Sequence, residues 1–432
     1  MHPGLAALSP EKLALARQAV ADMAHGPRAL QLALDVCVSC GRCAEACHIS
    51  RADAAPRLLP ARRARLLRDA FRRGRGPDQK TLPVWMRDFY ECTCCRRCAV
   101  FCPLGLDNAV LVRQARAILH AMGLTPCRIA ATQEASDARG NNEGASPGAI
   151  RDMIRFLEGE LREEHGAAIR IPLDAPAEVL FATASSEIMA RPENLMGCAT
   201  FFHVAGIPWT LSSRAFDAAN FGLFSGDDAH MHRKNKLLHD ACLELGAKRL
   251  VIGECGHAYR VAKYMGKHTS APDAPYAVTD IFTVAADVLQ RGGLRLAPER
   301  NARPVTYHDP CNFARSGGVM EAPRTMLRAC VREFREMTPN REANFCCGGG
   351  GGLAVLETAE GTGRADTFYE YRMRISGLMK VRQIAATKAA LVAAPCFNCL
   401  RQIEQLLDYH EVDAAVTTVF ELFDRAVELQ GL

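Results

Sequence analysis

The sequence has no uninterrupted apolar run of about 18 residues, the length a membrane-crossing helix needs, so no spanning segment is expected. No N-terminal stretch passes from charged to apolar to small residues, so no secretory signal is expected. Charge of one sign is scarce as well. The 53 Lys and Arg stand against 48 Asp and Glu, and a net +5 over 432 residues gives no argument for nucleic acid. These absences point to a cytoplasmic protein, and a reducing compartment disfavours structural disulfides. What the chain has in excess is cysteine, 19 in all. Clustered cysteines in such a setting are more often metal-binding or catalytic. A hydrophobic content of 49% supplies buried cores, and the length allows two or three domains.

Eight of the cysteines form two tight motifs. Cys37-x2-Cys40-x2-Cys43-x3-Cys47 is the first, and Cys92-x2-Cys95-x2-Cys98-x3-Cys102-Pro103 is the second. This spacing lets three thiolates wrap one face of a [4Fe-4S] cubane while the fourth points to a neighbouring cluster. The expected ligand sets are therefore Cys37, Cys40, Cys43 and Cys102, and Cys92, Cys95, Cys98 and Cys47. Zinc is the alternative, but zinc sites pair two C-x2-C arms rather than run three such cysteines together. Cys94 is off the spacing and reads as a non-ligand. His48 stands where a proline often follows the fourth cysteine. The 44 residues between Cys47 and Cys92 are helical in pattern. The module resembles the helical ferredoxin domain of succinate dehydrogenase iron–sulfur subunits, and the resemblance implies single-electron relay.

A second concentration lies far downstream. Cys346-Cys347 is followed by five glycines, Gly348 to Gly352, and is bracketed by Cys311 and by Cys396-x2-Cys399. Two adjacent thiols and a bare backbone make a poor core, but they suit a large iron–sulfur centre. Gly348, Gly349 and Gly350 would bring backbone N–H groups to cluster sulfides and leave room for a substrate. No Lys-Ser or Lys-Thr follows the glycines, so a phosphate loop does not fit, and a plain linker would not need the paired cysteines.

Four regions follow from these patterns. Residues 1–125 are a helical ferredoxin domain and 126–178 a connector, with a helix opening at Ser146-Pro147. Residues 179–303 and 304–432 alternate short β runs with helices, an α/β pattern, and they repeat one another. The repeat aligns Ser185 with Cys311, Gly222 and Leu223 with the cysteine pair, Cys255 with Cys396, and Ala258 with Cys399. The first half keeps one cysteine of five. The fold class is thus multidomain α/β: a two-cluster helical module, then a pseudo-symmetric pair with one half emptied of ligands.

The segments His308-Asp309-Pro310-Cys311-Asn312, Ala343-Asn344-Phe345-Cys346-Cys347-Gly348-Gly349 and Ala394-Pro395-Cys396-Phe397-Asn398-Cys399 resemble the cysteine-rich CCG domain of heterodisulfide reductases. With the ferredoxin module ahead of it, the chain resembles the D-type subunit of heterodisulfide reductases and, through its degenerate first half, DsrK-type catalytic subunits. The latter belong to the membrane complex associated with dissimilatory sulfite reductase. The resemblance implies one noncubane [4Fe-4S] cluster on Cys311, Cys346, Cys347, Cys396 and Cys399, beside the two cubanes. It implies reduction or formation of a disulfide or trisulfide on a DsrC-like sulfur-carrier protein. It also implies a membrane cytochrome b-like partner and other electron-transfer subunits, and a cytoplasmic position peripheral to the inner membrane. The x48 spacing before Cys396 is longer than in a simple CCG domain. The alternative is an electron-transfer subunit of a glycolate or lactate oxidase-type complex, without disulfide chemistry of its own.

Other residues carry weaker signals. Cys255 and His257 lie opposite cluster ligands in the repeat, so His257 is a candidate proton donor to a leaving thiolate, or a structural histidine. His308 and Asp309 either orient Cys311 or make a turn with Pro310. His230, His232 and His239 read as a polar helix face, and Cys127, Cys198, Cys242 and Cys330 as buried thiols. The arginine-rich stretch Arg62 to Arg75 reads as a solvated helix face or as a docking surface for an acidic or membrane-bound partner.

Overall fold

The computed structural model of the protein describes residues 8–24, 28–265, 274–356 and 368–429. Its N-terminal module is helical: α1 (Pro10–Ala24), α2 (Arg28–Val36), α3 (Arg42–Ala46), α4 (His48–Ala52), α5 (Pro60–Arg73), α6 (Leu82–Tyr90), α7 (Arg97–Val100) and α8 (Asn108–Ala121). Local sequence explains the ends of its longer helices. Proline opens α5 and left-handed Gly74 closes it. Asp107 caps α8 by accepting from the Ala109 N–H. Leu67 of α5 and Val112, Ala115 and Leu119 of α8 belong to one fully buried cluster.

The arginines of α5 do not form a uniformly solvated face. Arg63 is buried and donates to the carbonyls of Asp88 and Leu58. Arg62 pairs with the Asp88 carboxylate at 2.9 Å. Arg65, Arg72 and Arg73 are exposed.

Residues 126–178 do more than connect. They form the helices Cys127–Arg139 and Pro147–His165, the second capped by Ser146 and ended by Gly166. Ile150, Leu157 and Leu161 enter the main core of the α/β region. Cys127, expected inside, is exposed at the start of the first of these helices.

Two parallel four-stranded sheets follow. The first is built from β1 (Val179–Ala182), β2 (Trp209–Thr210), β3 (Arg249–Ile252) and β4 (Ala277–Asp280) in the order β2-β1-β3-β4. The second uses β5 (Val305–Tyr307), β6 (Phe334–Arg335), β7 (Leu391–Ala393) and β8 (Ala415–Thr417) in the order β6-β5-β7-β8. The order is the same, so the repeat read in the sequence is a repeat of topology. Ala182 pairs with Ile252 in one sheet and Tyr307 with Ala393 in the other. The central strands are buried, β3 save for half-buried Arg249 at its start, as parallel strands covered on both faces must be.

The halves pack around one shared core. Helix 192–204 lies against helix 419–426, and a Cβ on Gly197 would run into the Phe420 carbonyl. Glu254 of the first half accepts from the N–H groups of Val419 and Phe420, both at 3.0 Å, and so caps a helix of the second. Cys255 and Cys396, each three residues beyond its strand, form an antiparallel backbone bridge. Equivalent residues meeting each other is what a two-fold relation requires.

Candidate metal centre and adjoining cavity

The two N-terminal motifs share one backbone course. In each, the second and fourth residues after the first cysteine have positive φ: Ser39 (55°) and Gly41 (87°), then Cys94 (49°) and Arg96 (63°). These left-handed residues give the two loops the same local turn. Cys94 takes the place of Ser39 and hydrogen-bonds within its own motif, its N–H lying 3.4 Å from the Cys92 sulfur. The hydrogen bond from Cys94 holds the Cys92 thiol down at about 6, with buried Arg63 acting in the same direction.

The fold brings the eight cysteines together in two sets. Cys43 has Cys37, Cys102 and Cys40 as its charged neighbours, and burial pushes its thiol up. Cys98 is pushed up by burial and by Cys47, Cys95 and Cys92. One enclosed cavity is walled by Cys47, Cys92, Cys95 and Cys98 together with His48. Four convergent thiols around an internal space are a donor set that fits a four-iron cluster.

Five thiols converge in the second α/β half. Cys311 follows β5 and Cys396 follows β7, the two central strands, so both stand where the strand order changes direction. All five pack in one buried cluster, with Cys346 beside Cys311 and Cys347, Cys347 beside Cys399 and His308, and Cys399 beside Cys396. Their mutual interactions push Cys346 and Cys399 up and hold Cys347 down. Ligand atoms of His308, Cys347 and Cys399 lie within 4.8 Å of one another. The donor set, soft sulfur with one imidazole, suits iron–sulfur rather than a hard cation. Cys95 packs in the same buried cluster as Cys346, so the N-terminal module touches the five-thiol site directly.

The glycine run serves mainly to let protein approach protein. A Cβ on Gly348 (φ 98°) would sit 2.6 Å from the Gly377 nitrogen, and one on Gly351 (φ 64°) 2.9 Å from the Cys92 carbonyl. Among the described residues, protein atoms take up the space that the glycines were expected to leave for a substrate. The Gly348 N–H does reach the Cys346 sulfur, at 3.4 Å.

Open space does border Cys396. A cavity of about 360 Å³ is lined by Cys255 and His257 from the first half and by Cys396 and Arg401 from the second. Arg128 and Glu143 of the 126–178 region complete its wall. Cys255 sits 3.4 Å from His257 Nδ1. His257 packs beside the rings of Phe224 and Phe221, at 5.0 and 6.1 Å. Burial holds its imidazole down at about 4, so near neutral pH it carries no imidazolium proton to give. It can accept from the Cys255 thiol instead.

Several supporting residues had no sequence signal. Buried Arg116 donates to the carbonyls of Phe89, Cys92, Phe224 and Gly351, at 2.6–2.9 Å through its two terminal nitrogens. It thereby ties the ferredoxin module to both α/β halves. Arg315 donates to the Cys95 and Glu342 carbonyls. Lys380, fully buried, reaches the Asn344 side chain at 2.8 Å and lies near Cys347 and Cys346. Asp309 is neither a simple turn residue nor a direct support of Cys311. It makes a bidentate pair with buried Arg324 at 2.7 and 2.8 Å and accepts from the Arg341 N–H. The histidines of helix 228–244 do not converge. His230 is buried against Asp137 at 3.0 Å, and His239 faces the Tyr276 hydroxyl.

Residues 33–106 match the model of a 4Fe-4S dicluster domain, and residues 305–404 match that of a cysteine-rich domain. The first range holds all eight motif cysteines and the second all five convergent thiols. The chain is 27% identical to the Hdr-like menaquinol oxidoreductase iron-sulfur subunit 2 of Archaeoglobus fulgidus, over 95% of its own length and 82% of the relative's. It is 23% identical to the D-type subunit of the dihydromethanophenazine:CoB–CoM heterodisulfide reductase of Methanosarcina mazei, over 92% and 95%. The chain is a homologue of these heterodisulfide-reductase-type iron–sulfur subunits. A more distant likeness, 24% over 76% of this chain and 49% of the relative, is to the EtfAB:quinone oxidoreductase of Syntrophomonas wolfei. This homologue of the D-type subunits is an iron–sulfur oxidoreductase subunit, and no helix among its described residues is long and apolar enough to cross a membrane.

Proposed function

We propose that the chain is the redox subunit of a quinone-linked complex and that a disulfide is reduced or formed in the cavity beside Cys396. The observation that carries this reading is the packing of Cys95 against the five-thiol site. It joins a thiol set suited to relay with one that borders a substrate-sized cavity. The ligand sets we assign are Cys37, Cys40, Cys43 and Cys102 for one [4Fe-4S] cubane and Cys47, Cys92, Cys95 and Cys98 for the other. Cys311, Cys346, Cys347, Cys396 and Cys399 are assigned to a noncubane four-iron centre. When bound, these groups would supply single-electron relay and, at the last site, iron able to take a sulfur ligand.

The residues of the chain supply the rest. Cys396 presents the five-thiol site to the cavity. Arg128 and Arg401 line the cavity and favour an anionic substrate, while Asn142 and Asn398 offer amide contacts. The pair Cys255–His257 lines the same space and can hold the thiol proton beside a reacting sulfur. The Gly348 N–H, aimed at Cys346, favours negative charge on that sulfur. A cavity of about 360 Å³ admits one disulfide-bearing segment rather than a folded domain. This supports a small sulfur-carrier protein of the DsrC type, presenting a terminus or loop, and a DsrK-like role. The menaquinol and dihydromethanophenazine in the relatives' names support a cytochrome b-like membrane partner and a position at the inner membrane's cytoplasmic face.

A second reading, electron transfer without disulfide chemistry, is favoured by the likeness to the EtfAB:quinone oxidoreductase, whose name carries no disulfide substrate. The two separate in one experiment. The holoprotein is poised oxidatively, given a dithiol or a thiol-bearing carrier, and read by electron paramagnetic resonance. A new thiol-dependent signal, lost in Cys347→Ser, supports disulfide chemistry. No new signal, with carrier reduction intact in Cys347→Ser, would sink it.

A further inference from the structure

The thiol sets differ in how they meet solvent. All five convergent thiols of the second α/β half are buried, whereas Cys40 is exposed and Cys37, Cys43 and Cys102 are half-buried. Exposed apolar side chains lie near this outer set along the chain. Among the described residues, thirteen large hydrophobic side chains are exposed. Six of them, Leu32, Val36, Val38, Val100, Phe101 and Leu104, lie within five positions of Cys37 or two of Cys102. Val38 is 72% exposed and Leu32 53%. Single exposed apolar side chains need no explanation, but a gathering of them around one site marks an interaction surface.

This patch has a basic border. Arg65, Arg68 and Arg72 fall at i, i+3 and i+7 of α5 and share one face. Arg68 donates to the Cys37 carbonyl at 3.3 Å, which brings that face to the edge of the patch. The nearby carboxylates are partly neutralised: Glu45 pairs with Arg42 at 2.8 Å and Asp69 with Arg73 at 3.8 Å. Asp35 is exposed on α2. An apolar centre with a charged rim is the anatomy of a protein–protein interface.

We propose that this face docks a protein partner that carries a one-electron cofactor and presents an apolar centre with an acidic rim. The partner passes one electron at a time to, or accepts it from, the group held by Cys37, Cys40, Cys43 and Cys102. The inference rests on the reading that this set holds a redox centre. Burial of the apolar ring removes water from around the site. The arginine face steers the encounter, which makes the association rate sensitive to salt.

The test uses reduced flavodoxin, an acidic one-electron donor, as the probe of the full holoprotein, with dithionite as the small-molecule control. The variants are Val38→Asp with Leu104→Asp, and Arg65→Glu with Arg72→Glu. Flavodoxin-driven reduction is expected to slow about tenfold in both variants, and in the wild type at high salt, with dithionite-driven reduction and iron content unchanged. Flavodoxin rates that do not change overturn the docking face. Binding to anionic lipid vesicles that the variants lose, with flavodoxin rates unaltered, overturns it in favour of a membrane surface. A wild-type iron content short by about four per chain, with no reduction by dithionite, removes the redox-centre assignment and the inference with it.

Discussion

The two α/β halves have the same strand order and different loops. In the second half, the loops after β5 and β7 end in Cys311 and Cys396, and Cys346–Cys347 closes over them. In the first, Ser185 stands opposite Cys311 and lies 3.0 Å from the Asp217 carboxylate, which also faces buried Lys234 at 3.7 Å. The counterpart of the cysteine pair is closed off. A Cβ on Gly222 would lie 2.5 Å from the Asp227 carbonyl, so the first half has no room for a cysteine there. Phe221, Phe224 and His257 fill the space with rings. The scaffold is indifferent to the thiols, because its stability rests on strand pairing and the shared apolar core. The chemistry sits in the loops at the carboxyl ends of the strands. An emptied half still contributes: it supplies one wall of the cavity opposite Cys396 and caps a helix across the two-fold.

The sharpest break of this comparison is one cysteine substitution in each half. Cys347→Ser is expected to lower the iron content by about four per chain and abolish thiol-dependent signals. Cys255→Ser, in the other half, should leave the iron content unchanged; elemental analysis separates the two. Next comes Arg116→Ala, which removes the cation that holds the Phe224 and Gly351 loops of both halves to the Cys92 loop. Four carbonyls lose their donor, and a cost of about 3–5 kcal/mol is expected in denaturant unfolding. A loss below about 1 kcal/mol would show that the three regions hold together without it.

His257 offers a smaller effect with a sign. Asn398 occupies the matched position in the second half. Burial holds His257 at about 4, below the ordinary 6.5, so between these values the unfolded chain takes up a proton that the native state refuses. Its contribution to stability is full above about pH 6.5 and is lost as the pH falls towards 4, by up to about 3 kcal/mol. His257→Asn should flatten the dependence of Tm on pH over that window. Last, Glu254→Ala removes a helix cap between the halves, at a cost of about 1–2 kcal/mol by thermal unfolding. Burial pushes the Glu254 carboxyl well above its ordinary range, so Glu254→Gln should cost less.

Much of this was legible in the sequence. The motif spacings picked out the thiols, and the repeat picked out Cys255 and His257, because periodic spacing survives in one dimension. Three readings were not recoverable. Residues 126–178 looked like a connector, yet Arg128 and Glu143 line the cavity, and nothing local marks a helix that packs at a distance. The glycines after Cys347 looked like room for a substrate, but Thr93, Gly377 and Gln402 take up that room. Arg116, Arg315 and Lys380 are ordinary basic residues until their partners, far away along the chain, are known.

The sequence by itself determined which atoms are available: thirteen thiols in three spaced groups, two copies of one α/β pattern, and no apolar segment long enough to span a membrane. These are properties of composition and local order, set by which residues are near one another along the chain. Only the tertiary structure decided that Cys95 packs with Cys346, that Cys396 opens onto a cavity walled by an emptied repeat, and that the outer cysteine set stays partly exposed beside exposed apolar side chains. Such contacts depend on how buried faces and close backbone approaches fit across hundreds of residues. Packing of that kind is a property of the whole chain.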